Sequence, residues 1–133
     1  ADPKTAEGLC VEAGTHITRV RRVMRAEGRP VAYLVDSLPE EYLTASELPR
    51  DFSGSVLDFL LASGKDLQLS RANIGATNAT ADVAKPLEIQ RDDVLLRFES
   101  QLYDSKGKVV DYSVSYFIPG YFQFHVNRRV GSS

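Results

Sequence analysis

Two consecutive predicted strands in the C-terminal half of the chain carry polar residues at alternate positions, a spacing that could build a binding site. These residues are Arg97, Glu99 and Gln101 in Val94–Tyr103, and Asp111, Ser113 and Ser115 in Val109–Phe117. Alternate residues of a strand point to opposite faces. If the turn pairs Tyr103 with Val109, all six residues share one face. That face would either orient a small polar ligand or contact solvent.

The residue types that dominate transition-metal and nucleophile sites are scarce in this chain. His16 and His125 are the only histidines, they lie in separate predicted strands, and the sequence has no Cys-x-x-Cys or His-x-His spacing. Cys10, between two aliphatic residues, is expected to be a small buried side chain rather than a nucleophile. No Gly-rich phosphate loop or nucleophile elbow is present. We therefore expect no metal, no cofactor and no catalytic residue.

Composition indicates one domain without a basic surface. The chain has 133 residues, of which 43% are hydrophobic, and a net charge of −2. This length suits a single domain, and the charge argues against a grip on a phosphate backbone by this domain itself. One cysteine excludes an internal disulfide, and no apolar run has the length of a membrane span. We expect a bacterial cytoplasmic protein with no membrane partner.

Hydrophobic periodicity predicts an α+β fold, with one mainly antiparallel sheet and two or three helices packed on it. Helices are predicted at Ala1–Gly8, at Val56–Ala62 and from Ala81 to Ala84, with Pro86 disrupting the last one. Strands are predicted at His16–Ala26, Pro30–Leu38, Asp66–Thr80, Val94–Tyr103, Val109–Phe117 and Tyr121–Arg129.

Arginines are concentrated in the first predicted strand. They are Arg19, Arg21, Arg22 and Arg25. Strand alternation places Arg22 on the face opposite to the other three. We interpret the cluster as a solvated or dimer-edge face with acidic partners such as Glu27 and Asp36, and not as a nucleic-acid site.

Five segments occur in an order that resembles a known family. They read RVRRVMRAEGRPVAYLVDSLP, SVLDFLLASG, LQLSRANIGA, ADVAKPLEIQRDDVLLRFES and LYDSKGKVVDYSVSYF. From about Gly8 to Arg129, the chain resembles the UTRA domain, the effector-binding domain of GntR-type bacterial transcription regulators of the HutC subfamily. The resemblance implies a chorismate-lyase-like fold.

The resemblance also implies effector-binding residues. They are Arg71, Asn73, Asp111, Ser113 and Phe117, with Tyr33 and Tyr121 as pocket candidates for which core packing is the alternative. Arg71 matches the family's mid-strand arginine, whose forked donors suit phosphate or carboxylate, so an anionic effector is expected. Phe117 stands where the family often has tyrosine. The alternatives are a surface arginine at Arg71 and a solvated carboxylate at Asp111.

Two functions from different classes follow from the resemblance. In the first, residues 1–133 form a single effector-binding domain of a homodimer. A small molecule then modulates DNA binding through an N-terminal winged helix-turn-helix domain that this chain lacks. Such an effector must bind two dimer geometries unequally. In the second, the same fold is a chorismate-lyase-like enzyme, which needs a general acid and clamps for two carboxylates. Arg71 would be one clamp, but a second arginine and a glutamate partner are not evident.

Overall fold

The computed structural model of the protein describes residues 2–42, Val56, Leu60, Gly64 and 67–120. Its helices are α1 (Pro3–Leu9) and α2 (Ala81–Leu87), and its strands are β1 (Ile17–Ala26), β2 (Arg29–Pro39), β3 (Leu69–Asn78), β4 (Val94–Tyr103) and β5 (Val109–Phe117). Val56 and Leu60 are helical. The remainder of the predicted helix Val56–Ala62 and the predicted strand Tyr121–Arg129 lie outside the described residues.

The five strands form one antiparallel sheet in the order β1-β2-β5-β4-β3. Both α1 and α2 pack on one side, which we call the front face; it carries Arg19, Tyr33, Tyr112, Arg97 and Asn73, one from each strand. The other side, the back face, carries Val20, Asp36, Ser113, Ser100 and Ser70, again one from each strand. The predicted α+β architecture with a mainly antiparallel sheet is confirmed.

A tight turn at Glu27 and Gly28 joins β1 to β2. The φ angles of these residues are 52° and 79°, and positive φ at both central positions is what a type I′ hairpin turn requires. A bulge between Met24 and Arg25 then shifts the register, so that Met24 pairs with Ala32. The turn therefore fixes which residues of β1 and β2 share a face.

Helix α1 begins at a side-chain cap and ends at a left-handed residue. Asp2 accepts a hydrogen bond from the Thr5 backbone N–H at 2.8 Å, and Cys10 has a φ of 56°. Leu9 is buried against Val109 and Tyr112 of the front face. Cys10 is exposed, so the prediction of a buried cysteine is wrong: Leu9 takes the inward position, and the chain turns outward at Cys10.

Helix α2 continues one residue beyond Pro86, to the buried Leu87. A proline this close to the end of a helix removes only one backbone hydrogen bond, so the predicted disruption does not occur there. Val83 and Leu87 form a front-face core with Leu95, against which Tyr33 and Tyr116 pack.

A second core lies on the back face. Val56 and Leu60 are buried there against Val20 and Leu38, and the partly exposed Leu102 joins them. Val56 and Leu60 therefore cover part of the half of the back face from which Asp36 and Ser100 project.

A bulge in the β4–β5 hairpin changes the predicted pattern of faces. Tyr103 pairs with Val109 as expected, but Leu102 pairs with Asp111, which leaves Val110 as an extra residue. A one-residue shift moves every following side chain to the opposite face. Arg97 consequently lies opposite Tyr116. The prediction that Arg97, Glu99 and Gln101 share a face with Asp111, Ser113 and Ser115 is therefore wrong.

Candidate functional site

A cavity of about 170 Å³ opens on the back face of the sheet. All five strands and Val56 contribute to its wall. The lining residues are Arg22, Leu34, Asp36, Val56, Ser70, Ser100, Leu102, Asp111, Ser113 and Ser115. Aliphatic side chains with a few convergent polar groups are the usual lining of a small-molecule site.

A buried ion pair forms one side of this cavity. The Arg22 Nη2 atom lies 3.3 Å from Asp36 Oδ2, and the two side chains are only 15% and 8% exposed. The pairing arises because β1 and β2 are adjacent in the hairpin, so that side chains on the same face approach each other. A charged side chain that is withdrawn from water needs an oppositely charged partner to offset its loss of hydration.

Asp111 lies beside this ion pair. The residue is 6% exposed. Asp36 pairs with Ser113, so Asp111 lies diagonally across from Asp36 on the same face of the sheet. Burial and the neighbouring negative charge of Asp36 raise the pKa of Asp111 well above its usual range, while Arg22 acts in the opposite direction. The buried Oδ1 atom has no hydrogen-bond partner among the described residues.

Serine hydroxyls complete the polar part of the back-face cavity. Ser100 and Ser113 are hydrogen-bonded across β4 and β5, and Ser70 and Ser115 lie in the same wall. A hydroxyl both donates and accepts, so this wall can match ligand hydroxyl groups in either sense.

Two further cavities open on the front face. One, of about 370 Å³, lies beside α1 and is lined by Arg71 and Asn73 together with residues that include Glu99 and Tyr112. The other, of about 270 Å³, lies between α1 and α2, and Tyr33 is in its wall. Tyr33 stacks with Tyr116 at 6.5 Å between ring centroids. Arg71 and Asn73 are both exposed.

The polar side chains of β4 and β5 on the front face are hydrogen-bonded to one another. The Tyr112 hydroxyl donates to Glu99 Oε2 at 2.5 Å, and Arg97 Nη2 lies 3.4 Å from the same oxygen. The hydrogen bond from Tyr112 holds the pKa of Glu99 below its usual range. Burial and the bond to Glu99 raise the pKa of Tyr112 to about 12.

The structure divides the sequence-predicted site residues between the two faces. Asp111 and Ser113 line the back-face cavity, whereas Arg71, Asn73 and Tyr33 line the front-face cavities. Phe117 lies on the back face but toward the far end of β5, where it packs edge-to-face on Phe98 at 5.0 Å. Tyr121 lies outside the described residues. No single cavity therefore collects all of these candidates.

The sequence reasoning named Asp36 as an acidic partner of the arginine cluster and placed Arg22 on the face opposite to the other arginines, but it assigned neither residue to a binding site. It expected a solvated or dimer-edge cluster, whereas the Arg22–Asp36 pair is buried. Asp36 shares its strand face with Leu34 and Leu38, and an acid between two leucines on one face is the signal that could have indicated a buried partner.

Residues 1–123 match the family model described as the UTRA domain. The chain belongs to the UTRA domain family. The comparison with curated protein sequences gave no significant match. None of the helices within the described ranges is long and apolar enough to cross a membrane.

Several solved structures share this UTRA fold. A GntR-family transcriptional regulator from Enterococcus faecalis is 26% identical with a TM-score of 0.79, and the match covers 96% of this chain and 92% of that one. The trehalose repressor effector-binding domain of Bacillus subtilis is 16% identical with a TM-score of 0.86, covering 99% and 92%. The possible transcriptional regulator YydK of B. subtilis is 21% identical with a TM-score of 0.83. That match covers 97% of this chain but only 57% of YydK.

Proposed function

We propose that this UTRA domain is the ligand-sensing part of a cytoplasmic bacterial transcription regulator of the GntR type, HutC subfamily. It binds a small metabolite and catalyses no reaction. The family match and the structural neighbours, which include a GntR-family regulator and a repressor effector-binding domain, support this function.

One observation carries the location of the effector site: the buried Oδ1 atom of Asp111, in the wall of the back-face cavity, has no hydrogen-bond partner among the described residues. A buried polar atom left without a hydrogen bond costs about 1–3 kcal/mol. Groups kept in this condition are typical of binding sites, because a ligand can supply the missing partner. The effector site therefore lies on the back face, with Asp111 and Ser113 in direct contact with the ligand.

In the full-length regulator, a winged helix-turn-helix domain outside this chain contacts DNA, and the protein is a homodimer. The sheet carries the effect of the ligand, because every strand of the sheet contributes to the cavity wall. Ligand binding changes DNA affinity only by as much as the two dimer geometries differ in their affinity for the ligand.

A thermal-shift screen against metabolites tests this function. The panel contains sugar phosphates, amino acids, urocanate, fatty acids and chorismate, and the proteins are the wild type, Asp111→Asn and Arg71→Ala. A ligand at about 100 times its dissociation constant stabilises the domain by about 2.7 kcal/mol, which is a shift of several degrees at this size.

The two variants separate the two faces. A shift that disappears in Asp111→Asn and persists in Arg71→Ala supports the back-face site. The reverse result moves the site to the front-face cavity beside α1. Consumption of chorismate by the wild-type domain would contradict a non-enzymatic function.

A further inference from the structure

The charge balance of the back-face cavity limits what it can bind. Among the described residues of its wall, Arg22, Asp36 and Asp111 are the ionisable ones. Asp36 already neutralises Arg22 at 3.3 Å. The second carboxyl, Asp111, leaves the wall with either no net charge or one negative charge. An anionic ligand would therefore meet no spare positive charge within this wall.

Asp36 and Asp111 are diagonal neighbours on the back face, because Asp36 pairs with Ser113, and both line the same cavity. Two ionised carboxyls are both acceptors, so they can hydrogen-bond to each other only if one of them holds a proton. Two neighbouring carboxyls ionise together only at a cost unless a positive charge compensates them. Asp111 is more than nine-tenths buried, and its Oδ1 atom has no partner among the described residues.

An ammonium group supplies what this pair lacks. It carries a positive charge and three donors, so it can bridge two carboxylates in place of a proton. The serine hydroxyls of the same wall suit ligand hydroxyl groups. We infer that, given the proposed function, the effector is a small hydroxylated amine whose ammonium group occupies the position between Asp36 and Asp111. This ligand class differs from the anionic effector that Arg71 suggested, since Arg71 lies on the front face.

The proton balance makes the inference testable through pH. Binding of the protonated amine releases the proton held by the carboxyl pair, so affinity rises with pH until the pair has lost that proton in the free protein. Affinity falls again only where the ligand loses its own proton. The charged groups that face the pair are Arg22 from β1 and the two carboxyls from β2 and β5, whereas β4 and β3 contribute Ser100 and Ser70. An anionic ligand has the opposite pH dependence, because it requires the carboxyls to stay protonated.

Three nearly isosteric probes separate the ligand classes. Tris is a cationic hydroxylated amine, pentaerythritol is its neutral counterpart and 2,2-bis(hydroxymethyl)propionate is its anionic counterpart. Thermal shift and calorimetry are measured in a buffer without primary amines, at mildly acidic and at neutral pH. We expect the dissociation constant of Tris to be at least about tenfold below that of pentaerythritol, a difference of about 1.4 kcal/mol. We expect no stabilisation by the anion.

Two isosteric carboxyl-to-amide variants provide the control. Asp111→Asn is expected to lose both the preference for Tris and its pH dependence, whereas Glu99→Gln, on the front face, is expected to keep both. Stabilisation by the anionic probe, or a preference for Tris that persists in Asp111→Asn, would overturn the inference. The absence of a shift with all three probes would also overturn it, while the metabolite panel would still decide the proposed function.

Discussion

The front and back faces of the sheet differ in how their polar side chains are hydrogen-bonded. On the front face, Glu99 is bound by both Tyr112 and Arg97, and Gln101 donates to the Gly8 carbonyl at 2.7 Å. On the back face, Asp111 lies next to a second carboxyl, that of Asp36, and one of its oxygens has no partner among the described residues. The front-face groups are hydrogen-bonded within the protein and help to hold α1 against the sheet, whereas the back-face carboxyl keeps an oxygen to which a ligand could donate.

The largest expected effect comes from removing the cation of the back face. In Arg22→Met, two buried carboxyls lose their positive partner, and breaking a buried ion pair costs about 3–5 kcal/mol. The loss should be smaller in acid, where a proton on Asp111 removes one of the two charges. Urea unfolding at neutral and acidic pH measures both effects.

Arg21→Met is the matched control, because Arg21 is the preceding residue and is exposed on the front face. A substitution at such a site changes stability by no more than about 0.5 kcal/mol. Equal losses in the two variants would mean that the Arg22–Asp36 pair contributes no more than a surface charge.

A smaller loss of stability is expected from adding a methyl group where α1 packs on the front face. A Cβ atom at Gly8 would lie 2.5 Å from Cδ1 of the buried Tyr112 ring. Gly8→Ala should therefore destabilise the domain by about 1–3 kcal/mol, as measured by urea unfolding.

Gly75→Ala controls for the general effect of adding a methyl group. Gly75 lies in β3, and a Cβ atom there meets nothing within 4 Å of the described structure, so little change is expected. If Gly8→Ala were equally harmless, α1 would not be packed on Tyr112 as described.

The smallest expected effect is on the pH dependence of folding stability, whose sign should differ between the back-face Asp111 and the front-face Glu99. The folded state holds a proton on Asp111 above its ordinary pKa of 3.8, so stability falls as pH rises from there through the raised value. Asp111→Asn should remove this slope. It should stabilise the domain at neutral pH by about 1 kcal/mol, as substitutions that relieve a strained binding site commonly do.

Glu99→Gln should have the opposite pH signature. The pKa of Glu99 is lowered from its ordinary value of 4.5, so its contribution is present above that pH and is lost as pH falls through the lowered value. The variant should therefore be less stable at neutral pH, by about 1 kcal/mol, and nearly equal to wild type in strong acid. Thermal unfolding over a pH series checks both variants, and slopes of the same sign would contradict the contrast between the faces.

The strands of the sheet could be predicted from sequence because their alternation and their turn residues are local signals. The type I′ turn at Glu27–Gly28 is one such signal, and the bounds of β4 and β5 are as predicted. The shared face of Arg71 and Asn73 also followed from alternation along one strand.

The division of the candidate site between two faces could not be predicted, because it depends on the extra residue Val110. Lys108–Asp111 contains no glycine or proline to mark a bulge, and the nearby Gly107 belongs to the turn that precedes β5. Its position is fixed instead by packing, since Val109 must meet Leu9 on the front face while Val110 is itself buried. The depth of Arg22 was missed for a related reason: its burial on the same face as Val56 is a tertiary effect that no local pattern records.

The bulge at Val110 also determines how this hairpin should be aligned with those of its relatives. A gap placed one position away would exchange the odd and even residues of β5, and every cavity residue on that strand would be compared with a residue from the opposite side of the sheet. Conservation read from such an alignment would emphasise Tyr112 and Val114 in place of Asp111 and Ser113. Effector contacts should therefore be transferred between members of this family by structural superposition of the hairpins and not by sequence alignment alone.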